Sequence, residues 1–320
     1  MGVDLSFILV NWNTKELVLG ALRSIFSTVG GYTFEVLVVD NGSEDGSPEA
    51  IKEAFPQTYL IINEENFGFA RAINQALTQA TGRYLFFLNS DARLKEGAVE
   101  ILVTFMEDNP DVGIAGGQLI NEDGTRQNSI APFPSLATEL LNKRLLRMLF
   151  PRRYPGKERD YSSPIDVESL VGACIIVRRQ AVEEVGGLDE GYFFFLEETD
   201  WCLRMRDKGW RICFVPQAQI LHLQGASVAM AKTEAKIEFY RSRYLFFEKH
   251  RGRTRTVLLK SGLILRMLGG IVGNSFLIWK RRYRKRCTTC CRLLLWHLKF
   301  CPSNEGLRGV KDVKATHQKN

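Results

Sequence analysis

The chain has 320 residues, 45% hydrophobic and 25% charged, a composition that excludes a disordered or fibrous protein. Its net charge of +7 is unevenly spread: residues 241–320 hold 20 Lys and Arg against 3 Asp and Glu, leaving 23 against 33 in residues 1–240. An acidic body with a basic tail excludes a uniformly basic nucleic-acid binder, and an odd count of seven cysteines argues against a disulfide framework.

The opening MGVDLSFILVNWNT has no basic segment and an apolar run of only six residues, so it does not read as a secretory signal. We therefore expect the body to lie on the cytoplasmic side. Short apolar runs then alternate with amphipathic stretches. LSFILV (5–10), FEVLVV (34–39), YLIIN (59–63), YLFFL (84–88) and VGIAGG (112–117) predict buried strands. The stretches near 15–28, 47–55, 68–80 and 96–108 predict helices between them. This rhythm predicts an α/β domain over 1–240, with a mostly parallel sheet flanked by helices. Residues 118–165 read as irregular. SLVGACIIVRR (169–179) predicts one more buried strand, and RICFVP (211–216) and AQILHL (218–223) predict two short ones.

In such a sheet the ligand crevice lies at the carboxyl ends of the strands. Four polar loops fall there: Asn11-Trp12-Asn13-Thr14, Asp40-Asn41-Gly42-Ser43, Asn66-Phe67-Gly68-Phe69 and Asn89-Ser90-Asp91. Any one could be an ordinary turn; four on one edge point to a polar ligand. No G-x-G-x-x-G turn follows the first strand and no P-loop is present, which argues against dinucleotide and P-loop chemistry. Asp91 stands at a strand mouth, where a hard divalent cation binds through a carboxylate and substrate phosphates. Glu197, Glu198 and Asp200 open a helix, a position that also suits acids for simple dipole reasons.

An ordered set of motifs over residues 5–225 resembles family 2 of the inverting GT-A glycosyltransferases, particularly its rhamnosyltransferase-like members. The motifs are ILVNWNT (8–14), VVDNGSEDGS (38–47), NFGFARAIN (66–74), LFFLNSDARL (85–94), DGTRQNS (123–129), LVGACIIVRR (170–179), GGLDEGYFFFLEETDWCLR (186–204) and HLQGAS (222–227). The resemblance implies that Asp40 hydrogen-bonds a nucleotide base, with Val10, Asn11, Trp12 and Asn13 lining the same pocket. Trp12 could supply an aromatic wall there or simply be core. Asn66, Gly68 and Asn74 would sit near the nucleotide-sugar, and Arg71 would face either the diphosphate or solvent. Asn89-Ser90-Asp91 stands where the family carries Asp-x-Asp. Asp91 is then the metal carboxylate for Mg²⁺ or Mn²⁺, Asn89 reaches the ribose, and His222 helps hold the metal or diphosphate. Glu198 takes the position of the general base, with Glu197 as the alternative. The implied donor is a nucleoside diphosphate-sugar, first dTDP-rhamnose, and the acceptor a lipid-linked or polysaccharide hydroxyl. A sugar-nucleotidyltransferase would want a Gly-rich, basic N-terminal loop, and a non-catalytic membrane-surface module would not need acids at 91 and 198.

The tail, 241–320, reads as a helical basic extension. VLLKSGLILRMLGGIVGNSFLIW (257–279) exceeds the roughly 20 residues needed to span a bilayer. However, Lys260 and Arg266 would each cost roughly 2.5–3.5 kcal/mol at its centre. Both flanks are also basic, which suits a helix lying on an anionic membrane surface. The expected location is thus peripheral, on the cytoplasmic face of the membrane; the competing reading is an ordinary core helix. The cluster of Cys287, Cys290, Cys291, His297 and Cys301 fits zinc spacing only loosely, and we expect no zinc there.

Overall fold

The computed structural model describes residues 2–151, 160–223 and 232–309. Its contacts divide the chain into two units, one of residues 1–133 and 151–227, the other of 134–150 and 228–320. The boundary expected at 240 falls inside a helix, Lys232–His250.

The first unit begins β1 (Leu5–Asn11), α1 (Lys15–Thr28), β2 (Phe34–Asp40), α2 (Ser47–Ala54), β3 (Tyr59–Ile62), α3 (Phe69–Leu77) and β4 (Tyr84–Leu88). It continues β5 (Ala92–Leu94), α4 (Ala98–Asp108), β6 (Val112–Ile120) and β7 (Ile130–Ala131). After a segment belonging to the second unit come β8 (Ile165–Asp166), β9 (Ser169–Leu170), β10 (Cys174–Arg178), α7 (Arg179–Val185), α8 (Glu197–Asp207) and β11 (Arg211–His222). The main sheet runs β3-β2-β1-β4-β10-β6-β11-β5. The first four strands are mutually parallel, as are β6 and β11, while β10 lies antiparallel between β4 and β6. The expected α/β sheet is therefore present. β4 is buried at all five positions, the pattern of a strand covered on both faces. The core joins Phe7, Leu9 and Val38 of the sheet to Val18, Leu22 and Ile25 of α1 and Leu102 and Met106 of α4.

Three local expectations change. The two strands expected at 211–216 and 218–223 are one strand, β11, with a register shift between Val215 and Gln219. Pro216 lies in the shifted segment, where its missing N–H costs no ladder bond. The single strand expected at 169–179 is two, because the chain leaves β9, which pairs with β7, before entering β10. The described residues of 118–165 are less irregular than expected. They hold the end of β6, β7, β8 and two short helices, α5 (Leu136–Leu140) and α6 (Lys143–Leu149).

The second unit comprises α5 and α6 with α9 (Lys232–His250), α10 (Arg253–Ser275), α11 (Arg281–Leu298) and a 3₁₀ turn at Leu307–Gly309. Leu259, Leu263 and Met267 form a stripe of α10 buried at four-residue spacing. Trp296 of α11 stacks on Tyr244 of α9, whose hydroxyl lies 2.6 Å from Nε2 of His297. α5 begins in a capping box, Ser135 with Thr138. Its Glu139 pairs with Arg243 at 2.9 Å, and the carbonyl of Leu140 accepts from Arg266 at 2.6 Å. Such partners explain why α5 escapes a reading based on local periodicity.

Candidate active site

The parallel register aligns Asn11 with Asp40 and Asp40 with Ile62, so the polar loops share the carboxyl edge of the sheet. They are knitted together. Both oxygens of the fully buried Asp40 are engaged, Oδ2 by Asn11 Nδ2 and Oδ1 by the Ser43 amide, each at 2.8 Å. Asn13 sits in left-handed backbone at φ 52, donating its amide to Ser43 Oγ and accepting the Glu44 amide. Val10 and Trp12 flank this turn, both half-buried. Thr14 donates to Asn11 Oδ1 at 2.7 Å and lies 3.0 Å from Ser90 Oγ, joining the first loop to the fourth.

The third loop closes on the second through amides. Asn41 donates to Asn66 Oδ1 and the Gly68 carbonyl and accepts from Asn63, which in turn pairs with Gln75. At Gly68, φ is 88 and an added Cβ would lie 2.6 Å from the Phe193 carbonyl oxygen, so only glycine fits. Arg71 is exposed and stacks over Phe67 at 4.2 Å. Asn74 spends its amide on the turn after α7: it accepts from the Leu188 amide and donates to the Leu188 carbonyl and Glu190.

Asp91 and His222 come together through strand pairing. β5 runs antiparallel to β11 with His222 opposite Ala92, which sets Asp91 Oδ1 3.4 Å from His222 Nε2. Both are largely buried. The backbone agrees: the Leu223 amide donates to the Asp91 carbonyl at 2.8 Å. Of HLQGAS, residues 224–227 lie outside those described. Among the described residues no group of three or more His, Cys, Asp and Glu forms a metal cluster. The Asp91–His222 pair nevertheless fits a divalent ion that takes its remaining ligands from phosphate and water, with a hard carboxylate and an imidazole facing one point.

Glu197 and Glu198 open α8 after two consecutive non-glycine residues in left-handed backbone, Phe195 at φ 72 and Leu196 at φ 67. Such conformations cost roughly 1–3 kcal/mol each and persist only where the surroundings enforce them. Here they are enforced. Asp200 binds Arg204 at 2.7 Å, Arg204 reaches the Val185 and Gly187 carbonyls, and Trp201 donates to the Gly186 carbonyl. Glu198 packs against Gly172, where an added Cβ would lie 3.3 Å from its side chain. Next to Gly172, the Ala173 carbonyl accepts the Asn89 amide at 2.9 Å, which ties the chain entering β10 to the Asn89–Asp91 loop. Burial pushes the Glu198 carboxyl up to about 7, against the pull of the helix-terminal amides of Glu198 and Thr199.

Thr14, Asn41, Ser43 and Asp200 are expected only as loop or helix-start residues, and their bracing contacts, with those of Asn63, Gln127 and Arg204, emerge from the structure. Thr14, Asn41, Ser43 and Asn63 follow strands directly, a position that was itself a signal. Gln127 and Arg204 carry no such signal, because Gln127 binds the His222 carbonyl 95 residues away and Arg204 the Val185 and Gly187 carbonyls 19 and 17 residues away.

A mostly parallel sheet thus carries polar loops along its carboxyl edge, with the Asp91–His222 pair among them. The chain belongs to Glycosyl transferase family 2, whose sequence profile matches residues 6–186. It is 29% identical over 250 residues to the N-acetylglucosaminyl-diphospho-decaprenol L-rhamnosyltransferase of Mycobacterium tuberculosis, covering 72% of this chain and 81% of that one. It is 23% identical to the dTDP-rhamnosyl transferase RfbF of Shigella flexneri, covering 70% and 71%. Its fold is similar to that of the mannosyltransferase PcManGT from Pyrobaculum calidifontis, solved in complex with GDP-Man and Mn²⁺. That match has a TM-score of 0.53 at 16% identity, over 93% of this chain and 87% of that one. The chain is a rhamnosyltransferase-like glycosyltransferase of GT-A type.

Proposed function

We propose that this enzyme is an inverting, metal-dependent transferase that moves L-rhamnose from dTDP-rhamnose to a lipid-linked or polysaccharide hydroxyl. The observation that carries this reading is the pairing of Asp91 with His222, 3.4 Å apart at a strand end. The names of the similar rhamnosyltransferases support the choice of sugar and of a lipid-linked acceptor. In this reading the Asp40 loop and the Val10–Asn13 backbone receive the base, and Asn89 reaches the ribose. Mg²⁺ or Mn²⁺ held by Asp91 and His222 would supply charge neutralisation to the leaving diphosphate. Glu198, ionised, takes the proton of the acceptor hydroxyl as its oxygen attacks the anomeric carbon from the face opposite the diphosphate. Glu197, one residue earlier, is its alternative.

We also place the enzyme peripherally on the cytoplasmic membrane face. α10 is long and apolar enough to cross a membrane by length and composition. The two cations within its apolar stretch are both occupied within the second unit, Lys260 by Glu248 at 3.0 Å and Arg266 by the Leu140 carbonyl. Leu265, Phe276 and Trp279 are each about 70% exposed, the last two just before the basic run Lys280–Arg286. That combination suits an anionic lipid surface.

The deciding experiment measures release of nucleoside diphosphate from a panel of nucleotide-sugars with Mg²⁺, Mn²⁺ or EDTA. We expect turnover of dTDP-rhamnose that EDTA abolishes. Undiminished turnover in EDTA overturns the metal dependence, and preference for another donor overturns the sugar.

A further inference from the structure

The imidazole of His222 can carry its single neutral-state proton on either nitrogen, and only one choice leaves Nε2 able to bind a cation. Nδ1 lies 2.8 Å from Oε1 of the buried Gln127 side chain. Which end of the Gln127 amide faces the ring is decided by its other contacts. Its nitrogen sits 2.6 Å from the main-chain carbonyl oxygen of His222, an atom that only accepts. The same nitrogen reaches Oδ1 of Asn121 at 2.7 Å. Asn121 is fixed in turn. Its Nδ2 donates to Thr125 Oγ1 at 2.8 Å, and the Thr125 hydroxyl donates to the Asp123 carboxylate at 2.6 Å. An ionised carboxylate accepts and never donates, so the direction of each bond follows back from Asp123: Thr125 to Asp123, Asn121 to Thr125, Gln127 to Asn121. Gln127 Oε1 is then left as an acceptor, and His222 Nδ1 must be the donor. The neutral ring presents a bare Nε2 lone pair toward Asp91 Oδ1, 3.4 Å away. Two acceptors facing each other at that distance are stable with a cation between them. The hydrogen-bonded hairpin 121–127 sets up that arrangement before any cation arrives.

We propose that Gln127 is a positioning residue that holds His222 in the Nδ1–H tautomer, so that Nε2 and Asp91 form a ready two-donor seat for the divalent ion. The proposal rests on the metal reading of the Asp91–His222 pair, and the tautomer itself can be read without metal.

The test uses the full-length protein labelled with ¹⁵N-histidine, free of metal, at a pH where imidazole is neutral. Its His222 signals are assigned by their loss in His222→Asn. We expect wild-type His222 to show a protonated Nδ1 and an unprotonated Nε2. Gln127→Leu, which offers no acceptor, should move the proton to Nε2, on the Asp91 side. Gln127→Glu keeps the acceptor and should keep the Nδ1–H form. Binding of Mn²⁺ in the presence of dTDP, followed by electron paramagnetic resonance, should weaken roughly 10–100-fold in Gln127→Leu, the usual worth of a partner that orients a metal-binding histidine. It should weaken much less in Gln127→Glu. A wild-type His222 protonated at Nε2 overturns the proposal, with no variant needed. A Gln127→Leu protein whose tautomer and Mn²⁺ affinity are both unchanged overturns it as well. If the wild type shows the Nδ1–H form but takes up no Mn²⁺ with dTDP, the tautomer assignment stands and the metal reading fails.

Discussion

At the scale of single residues, the two acids at the crevice are held in different ways and should fail in different ways. Asp91 is fixed by strand pairing beside His222. Asp91→Asn keeps the shape and removes the charge, so it should nearly abolish transfer while leaving the folded protein intact; the check is turnover with melting temperature measured alongside. Glu198 titrates near 7 because burial opposes its charge. A base must be ionised, so the rate should fall as pH drops below about 7, where an ordinary glutamate would hold it down to about 4.5. Glu198→Gln should slow turnover roughly 10²–10⁴-fold, retain donor binding and erase that acid limb. Glu197→Gln should cost less, and the reverse order would make Glu197 the base. The same shift has a stability consequence. Between about 4.5 and about 7 the unfolded chain has released this proton and the folded chain keeps it, so stability falls as pH rises through that window. Glu198→Gln should therefore melt higher than wild type at pH 8 and equal to it at pH 4, by about 2–4 °C for each kcal/mol relieved.

At the scale of elements, the crevice depends on tight approaches that local sequence barely marks. Gly68 lets the third loop pass under the Phe193 carbonyl and lets the Phe69 amide donate to it at 2.7 Å. Gly68→Ala meets both a positive φ and a backbone atom, so it should destabilise by more than about 1 kcal/mol and weaken donor binding. Chemical denaturation with nucleotide titration reads both effects, and a variant with wild-type values in each would show that the loop has room to move. The start of α8 makes the complementary case. Its left-handed Phe195 and Leu196 aim Glu197 and Glu198, and the Asp200–Arg204 and Trp201 contacts hold that strain in place. Leu196→Gly relieves the strain and frees the backbone. It should keep or raise the melting temperature while lowering kcat, whereas a parallel fall in both would make Leu196 a simple packing residue.

At the scale of the whole molecule, charge and exposed apolar surface are concentrated in the second unit. The full-length enzyme should float with vesicles containing anionic lipid and not with neutral ones, and raised salt should release much of it, since each nearby Lys or Arg contributes about 1 kcal/mol. Phe276→Ser with Trp279→Ser should weaken flotation with donor turnover in solution unchanged, both side chains being about 70% exposed. Resistance to salt and alkaline carbonate, with release only by detergent, would mean instead that α10 spans the bilayer.

The sequence by itself determined the α/β class, the run of β1 to β4 and the polar loops that follow those strands. Each of these is written locally, in continuous apolar runs that strands buried on both faces require and in polar residues placed directly after them. Only the tertiary structure decided what depends on distant partners. β10 enters the sheet antiparallel between β4 and β6, β11 runs through Pro216 as one strand, and α5 forms on contacts with Arg243 and Arg266. The meeting of Asp91 with His222 and Gln127 is of the same kind. His222 lies 131 positions from Asp91 and 95 from Gln127, and the pairing of β5 with β11 that brings His222 beside Asp91 is encoded in no local periodicity.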